Sequence, residues 1–129
     1  MRTSTLLVSL VLTLSSTAAT AGEPVDGRWS EVARARDGDC RMTITGNGRF
    51  YRVAATGLAP GERGRFVLTN GGMTPLDWSV RADAGGGFAR YYLPFRWHRA
   101  GDTVAVALDT PSCGISASFD WRRAEPVVR

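Results

Sequence analysis

Apolar and polar residues alternate along most of the chain after Cys40, and this period of two predicts β-strands. The alternation begins at Met42 and Ile44, and it is clearest where Trp78 and Val80 are separated by polar residues. Turns rich in Gly, Pro, Asn and Asp divide the pattern into about seven short segments. The sequence therefore predicts an all-β fold, an antiparallel sandwich of about seven strands over residues 40–121.

One predicted strand carries apolar residues on both of its faces. Val104 and Val106 alternate with Ala105 and Ala107. Because small apolar side chains stand where polar ones are expected, we predict that both faces of this strand are covered.

The segments on either side of the patterned region have a different composition. Residues 22–39 contain Pro24, three glycines and few large apolar side chains. We predict an N-terminal strap there, partly extended and held down by Trp29. Residues 122–129 are charged and include a proline, which predicts a flexible C-terminal tail.

Residues 1–21 have the composition of a bacterial signal peptide. Arg2 precedes an apolar run at 6–14, and Ala19-Thr20-Ala21 offers small residues to a signal peptidase. The run is too short to span a bilayer, which takes about 20 residues. We therefore expect an exported protein, periplasmic or secreted, whose mature chain begins at Gly22 and has no membrane span.

The chain has two cysteines, Cys40 and Cys113. An isolated pair in an exported protein usually oxidises, whereas a redox-active pair favours the Cys-x-x-Cys spacing that is absent here. The first and last strands of Greek-key sandwiches often lie side by side, which would bring the two thiols together. The sequence therefore predicts a structural disulfide between Cys40 and Cys113.

Basic residues outnumber acidic ones by 16 to 12, and every basic residue is arginine. Several arginines could form a basic face toward lipopolysaccharide or nucleic acid: Arg34, Arg36, Arg41, Arg49, Arg52, Arg63 and Arg65. Acidic residues are interspersed with them, among them Asp37, Asp39 and Glu62, so a mixed, solvated surface is the favoured interpretation. Export also argues against nucleic acid, and we expect no such partner.

Residues 90–99 interleave arginine with aromatic side chains in the connection between two predicted strands. Aromatic faces stack on sugars or bases, and arginine forks onto carboxylate or phosphate. In the ordinary alternative, the aromatic rings fill the core and the arginine stems cover them. The candidate ligand-binding residues are Tyr92, Arg96, Trp97, His98 and Arg99.

His98 is the only histidine. A catalytic role would need a nucleophile and a carboxylate beside it, and a metal site would need further ligands. Its two flanking arginines oppose both protonation and a bound cation. We therefore expect no catalytic residue, no metal and no cofactor.

Two turn segments resemble those of a known class of protein. TGLAPG at 56–61 and RADAGGGF at 81–88 look like turns of bacterial immunoglobulin-like sandwiches, and they are similar to turns of the secreted neocarzinostatin group. The resemblance implies an immunoglobulin-like sandwich. It carries over no ligand site, because the second disulfide of the neocarzinostatin group is absent here.

Together these features predict a small, monomeric, non-enzymatic binding or interaction module of the bacterial cell envelope. Its partner would be an envelope protein or an anionic envelope component, bound near Trp97. One alternative is a carbohydrate- or peptidoglycan-binding module, for which Trp97 and Tyr92 should be exposed in one plane. The other is a small hydrolase or metal carrier, for which His98 should lie beside an Asp or Met.

Overall fold

Residues 29–123 are the part of the chain that the computed structural model describes, so the predicted signal peptide lies outside it. These residues contain no helix, so the described part of the chain has no helix that could cross a membrane. Their strands are β1 (Ser30–Asp37), β2 (Cys40–Gly46), β3 (Tyr51–Thr56), β4 (Arg63–Asn70), β5 (Leu76–Arg81), β6 (Phe88–Tyr92), β7 (Gly101–Asp109) and β8 (Gly114–Arg122).

The strands form two antiparallel sheets that pack face to face. The first sheet has the order β1-β2-β3-β6, and the second has the order β5-β4-β7-β8. The chain therefore passes from one sheet to the other between β3 and β4, between β5 and β6, and between β6 and β7. The predicted all-β antiparallel sandwich is confirmed, with eight strands where the sequence predicts about seven.

The additional strand, β1, lies in the segment that the sequence predicts as a strap. It pairs with β2 along its length, with a bulge between Glu31 and Ala33. The side chains that β1 packs against the core, Ala33 and Ala35, are small and only partly buried. The apolar signal of β1 is therefore weak, and the sandwich begins at Ser30, not at Cys40.

The core fills the space between the two sheets with alternate residues of their strands. Its largest fully buried members are Met42, Ile44, Val53, Phe66, Leu68, Val104, Val106, Leu108 and Trp121. Each such side chain contributes about 1.5–3 kcal/mol when it leaves water. Ala105 and Ala107 point to the other side of β7 and are exposed within the described part of the chain. The prediction that both faces of β7 are covered is wrong.

The Cys40–Cys113 disulfide joins the two sheets at one edge. Cys40 begins β2, Cys113 immediately precedes β8, and their Cα atoms are 6.4 Å apart. At the same edge, the backbone N–H of Gly114 donates a hydrogen bond of 2.9 Å to the carboxylate of Asp37. The predicted disulfide is confirmed, and it links the two layers of the sandwich.

Candidate functional site

A loop of residues 93–100, here called the Trp97 loop, connects β6 of the first sheet to β7 of the second. Its first residues are fixed by Asn70, the last residue of β4, which is fully buried. The side-chain amide of Asn70 donates to the hydroxyl of Tyr92 at 3.1 Å and to the carbonyl of Pro94 at 2.7 Å. Its amide oxygen accepts a bond of 2.8 Å from the indole N–H of Trp121. One buried side chain therefore attaches the loop to the core.

Arg96 attaches the middle of the loop from the inside. Its guanidinium donates a hydrogen bond of 3.0 Å to the main-chain carbonyl of Asn70. It also lies 3.9 Å from the carboxylate of Asp102, and only 25% of its side chain is exposed. Arg96 therefore serves to hold the loop, and most of its side chain is unavailable to a ligand.

Arg123 holds the loop from the other side. Its guanidinium donates to the carbonyl of Arg96 at 2.7 Å and to that of Arg99 at 2.9 Å. The same guanidinium stacks over the ring of Phe95, 5.5 Å from its centroid. The sequence places Arg123 in a flexible tail, but this residue is bonded to the loop, and only residues 124–129 of that tail lie outside the described part of the chain.

Trp97 stands at the exposed side of this loop, with 83% of its surface accessible to solvent. Its ring meets that of His98 edge to face, with the centroids 5.0 Å apart. His98 has a positive φ of 59°, a backbone conformation that non-glycine residues rarely adopt. The loop therefore turns sharply just after Trp97, while its inner side is hydrogen bonded.

The charge around the loop is positive with one compensating acid. Arg99 lies 3.7 Å from the carboxylate of Asp102, which also faces Arg96. Arg123 borders the same surface, where a shallow depression is lined by Trp97, His98, Arg99 and Arg123. Two guanidinium groups therefore share the Asp102 carboxylate and a third lies on the same surface, so arginine outnumbers acidic residues around the loop in the described part of the chain.

The structure divides the sequence-predicted site residues into two groups. It brings Trp97, His98 and Arg99 together at the surface, whereas Arg96 and Tyr92 are directed inward. The hydroxyl of Tyr92 is bonded to Asn70, and its ring is partly buried. The coplanar, exposed rings of Trp97 and Tyr92 that a sugar-binding platform would require are not formed.

His98 is exposed and lies against Trp97, not against an Asp or Met. Its imidazole makes no hydrogen bond within residues 29–123. In that part of the chain, no group of three or more His, Cys, Asp and Glu side chains is placed to hold a metal. The arrangement offers contact surface and charge, and the described residues assemble no acid, base or nucleophile around His98.

Two residues of the site are missed by reasoning from sequence. Asn70 is the next inward position of β4 after Phe66 and Leu68. A polar residue at an inward position can be recognised from the sequence. Arg123 has no such signal, because its role depends on where β8 ends relative to the loop.

No family model, no curated protein and no solved structure matches this chain.

Proposed function

We propose that this protein is a non-enzymatic binding module of the bacterial cell envelope, exported through its signal peptide, and that the Trp97 loop binds a partner protein. The observation that supports this most directly is the 83% exposure of Trp97 on a loop whose inner side is hydrogen bonded. Exposed tryptophan is uncommon on protein surfaces, and tryptophan and arginine dominate the energetics of protein interfaces.

The interactions that order the loop do not involve the ring of Trp97. They run from Asn70, Arg96 and Arg123 to other groups, chiefly backbone carbonyls. The protein therefore holds the backbone at Trp97 in place before any partner arrives, which reduces the entropy lost on binding. A side chain needed only for folding would be expected to bury its apolar surface.

The surroundings of Trp97 indicate what kind of partner surface would fit. About half of the Arg99 side chain is exposed, and Arg99 and Arg123 flank the aromatic ring. A partner would need an apolar pocket for the indole and carboxylates at the rim of that pocket. Such a pairing has the usual arrangement of an interface, with a desolvated aromatic at the centre and polar groups around it.

Affinity capture from envelope extracts tests the proposal, with the purified wild-type protein, a Trp97→Ala variant and a Phe50→Ala variant compared by quantitative mass spectrometry. Phe50 is an exposed aromatic outside this loop, so its replacement controls for general stickiness. Arg96 is left intact because it bonds to Asn70. We expect one partner to be retained by wild type and Phe50→Ala and to bind Trp97→Ala about 30-fold more weakly, as for an interface hot spot.

The melting temperatures of all three proteins should agree closely, since both side chains are exposed. If Trp97→Ala captures the same partner as wild type, the Trp97 loop is not the binding site. If neither wild type nor Phe50→Ala retains a partner, the binding function itself is rejected.

A further inference from the structure

The outer face of the first sheet concentrates arginine. In β1, β2 and β3 the residues that alternate with the buried ones point away from the core. Four of these outward positions are arginines: Arg34, Arg36, Arg41 and Arg52. Four of the seven arginines that the sequence suggests for a basic face therefore lie on one surface.

Little negative charge accompanies them. Glu31 is the one acidic residue that the described strands place on this face, and it forms an ion pair of 2.5 Å with Arg34. Asp37 is turned to the edge of the sheet, where it accepts the backbone N–H of Gly114. Within residues 29–123, no carboxylate lies within ion-pair distance of Arg36 or Arg41.

The outer face of the second sheet is different. There Arg65 is bonded to Asp77 on the neighbouring strand. Asp109 and Asp120 also point outward from β7 and β8. The mixed surface that the sequence predicts is therefore found on the second sheet, whereas the first sheet is predominantly basic.

Arg36 of β1 and Arg41 of β2 are direct cross-strand partners. Like charges directly opposite one another destabilise an antiparallel pair. An anion bound between the two guanidinium groups would relieve this repulsion and would receive hydrogen bonds from both, in the geometry that arginine favours for phosphate.

The shape and the aromatic residues of this face also bear on what it binds. Between the arginines lie short side chains, Thr43 and Ala54, which are direct partners in the register of β2 and β3. Tyr91 is 65% exposed on the same face, and its ring meets that of Trp29 edge to face with the centroids 6.1 Å apart. The result is a broad basic surface that carries the exposed Tyr91 and the half-buried Trp29.

We propose that the outer face of the first sheet is a docking surface for an anionic lipid membrane. Lipid phosphates would bind at Arg36 and Arg41, with Arg52 contributing further attraction, and the Trp29–Tyr91 pair would lie at the level of the head groups. Tryptophan and tyrosine favour this depth because their rings are apolar and their N–H and O–H groups are polar. A membrane surface presents many phosphates side by side, which suits arginines spread over three strands of one sheet face, including the depression lined by Arg34, Arg36 and Arg41.

Sedimentation with vesicles tests this proposal. The purified protein is mixed with vesicles of phosphatidylglycerol and phosphatidylcholine, or with vesicles of phosphatidylcholine alone. Each arginine near an anionic surface strengthens membrane binding about fivefold. An Arg36→Gln/Arg41→Gln protein should therefore bind the anionic vesicles about 25-fold more weakly than wild type. Binding should also fall as salt is raised.

An Arg63→Gln/Arg122→Gln protein is the matched control, because it removes the same charge from the outer face of the second sheet. We expect it to lose less than about threefold. Equal losses in the two variants, or equal binding to both kinds of vesicle, would contradict a defined membrane-docking face. Binding to soluble polyphosphate without binding to vesicles would reassign the face to a soluble polyanion and overturn the proposal. The Trp97→Ala protein should bind vesicles normally, so this test is independent of the partner-capture experiment.

Discussion

The indole N–H of Trp121 donates a hydrogen bond of 2.8 Å to the side-chain oxygen of Asn70, and both residues are almost fully buried. Because Asn70 also donates to the carbonyl of Pro94, this one amide connects the core to the Trp97 loop. We expect Asn70→Ala to leave the Trp121 N–H and the Pro94 carbonyl without their hydrogen-bond partner and to lower the free energy of unfolding by about 3 kcal/mol. Urea denaturation followed by circular dichroism measures this loss.

Trp121→Phe provides a second variant for this prediction, since it removes the N–H donor and keeps an aromatic ring. The losses from Asn70→Ala and Trp121→Phe should be less than additive in the double variant, because both remove the same hydrogen bond. A loss below about 1 kcal/mol for Asn70→Ala would mean that the bond contributes little to stability.

Gly86 allows close contact between two turns at one end of the sandwich. It has a positive φ of 75°, and its carbonyl accepts a hydrogen bond of 3.0 Å from the N–H of Leu58. A Cβ at this position would overlap the carbonyl group of Leu58. We expect Gly86→Ala to cost about 2 kcal/mol or more, through strain and the steric clash.

Gly72→Ala is the matched control, because no atom lies within 4 Å of the Cβ that it would introduce. Its effect on the urea midpoint should be small. Equal destabilisation by the two substitutions would show that the turn at Gly86 relaxes to admit a side chain.

The disulfide offers a prediction about overall stability. Cys40 and Cys113 are separated by 73 residues, and closing a loop of this length stabilises a folded protein by about 4 kcal/mol in the chain-entropy treatment. A Cys40→Ala/Cys113→Ala protein should therefore have a much lower urea midpoint than wild type. A reductant should lower the midpoint of wild type and leave the double variant unchanged. If the native protein reacts with two equivalents of an alkylating reagent before reduction, the bridge is not formed.

Large apolar side chains explain why most of the fold follows from the sequence. In β2 and β4, residues such as Ile44 and Phe66 face the core at every second position, so the pattern is visible without a structure. In β1 the inward residues are Ala33 and Ala35, whose small side chains give almost no pattern. Backbone pairing with β2 holds strand β1 instead, and this pairing does not require particular residue types that the sequence would reveal.

The direction of a side chain in a loop is harder to predict from sequence. Alternation does not place Tyr92, because the apolar series at positions 89, 91 and 93 is the exposed one, and only the pairing of Tyr92 with the buried Tyr51 shows its inward direction. Arg96 is no easier to place, because its inward direction depends on the carbonyl of Asn70 being available across the sandwich. The exposure of Ala105 likewise depends on whether another element covers the second sheet, and the apolar character of alanine does not determine this.

Arg123 gives a test of how the Trp97 loop is ordered. Its guanidinium bonds to the carbonyls of Arg96 and Arg99 at the surface of the protein. We expect Arg123→Gln to speed hydrogen exchange at the Arg99 amide, while the free energy of global unfolding changes by less than about 1 kcal/mol. Arg122→Gln, one residue earlier and on the outer face of β8, should change neither quantity. Unchanged exchange in Arg123→Gln would show that the loop is held by Asn70 and Arg96 alone.

Glu62 makes stability depend on pH. Its carboxylate accepts bonds of 2.6 Å from the Ser112 hydroxyl, 2.7 Å from the Ser112 N–H and 2.9 Å from the Ala59 N–H. The Ser112 hydroxyl is the largest of the causes that lower the pKa of Glu62 below its usual value, and the two backbone N–H groups add to it. These bonds connect the turn before β4 to the segment that contains Cys113.

Because the pKa of Glu62 is lower in the folded protein than in the unfolded chain, its bonds contribute stability above the unfolded pKa. That contribution is lost as the pH falls through the folded pKa. Glu62→Gln removes the ionisation, so its urea midpoint should fall less than that of wild type between about pH 6 and about pH 3. Asp77→Asn is the comparison, because the pKa of Asp77 is lowered mainly by its hydrogen bond with Arg65 at an exposed ion pair. Salt should weaken the pH dependence contributed by Asp77 more strongly than the pH dependence contributed by Glu62, because the partners of Glu62 are uncharged donors. Parallel curves for wild type and Glu62→Gln would show that the bonds to Ser112 do not favour the ionised carboxylate.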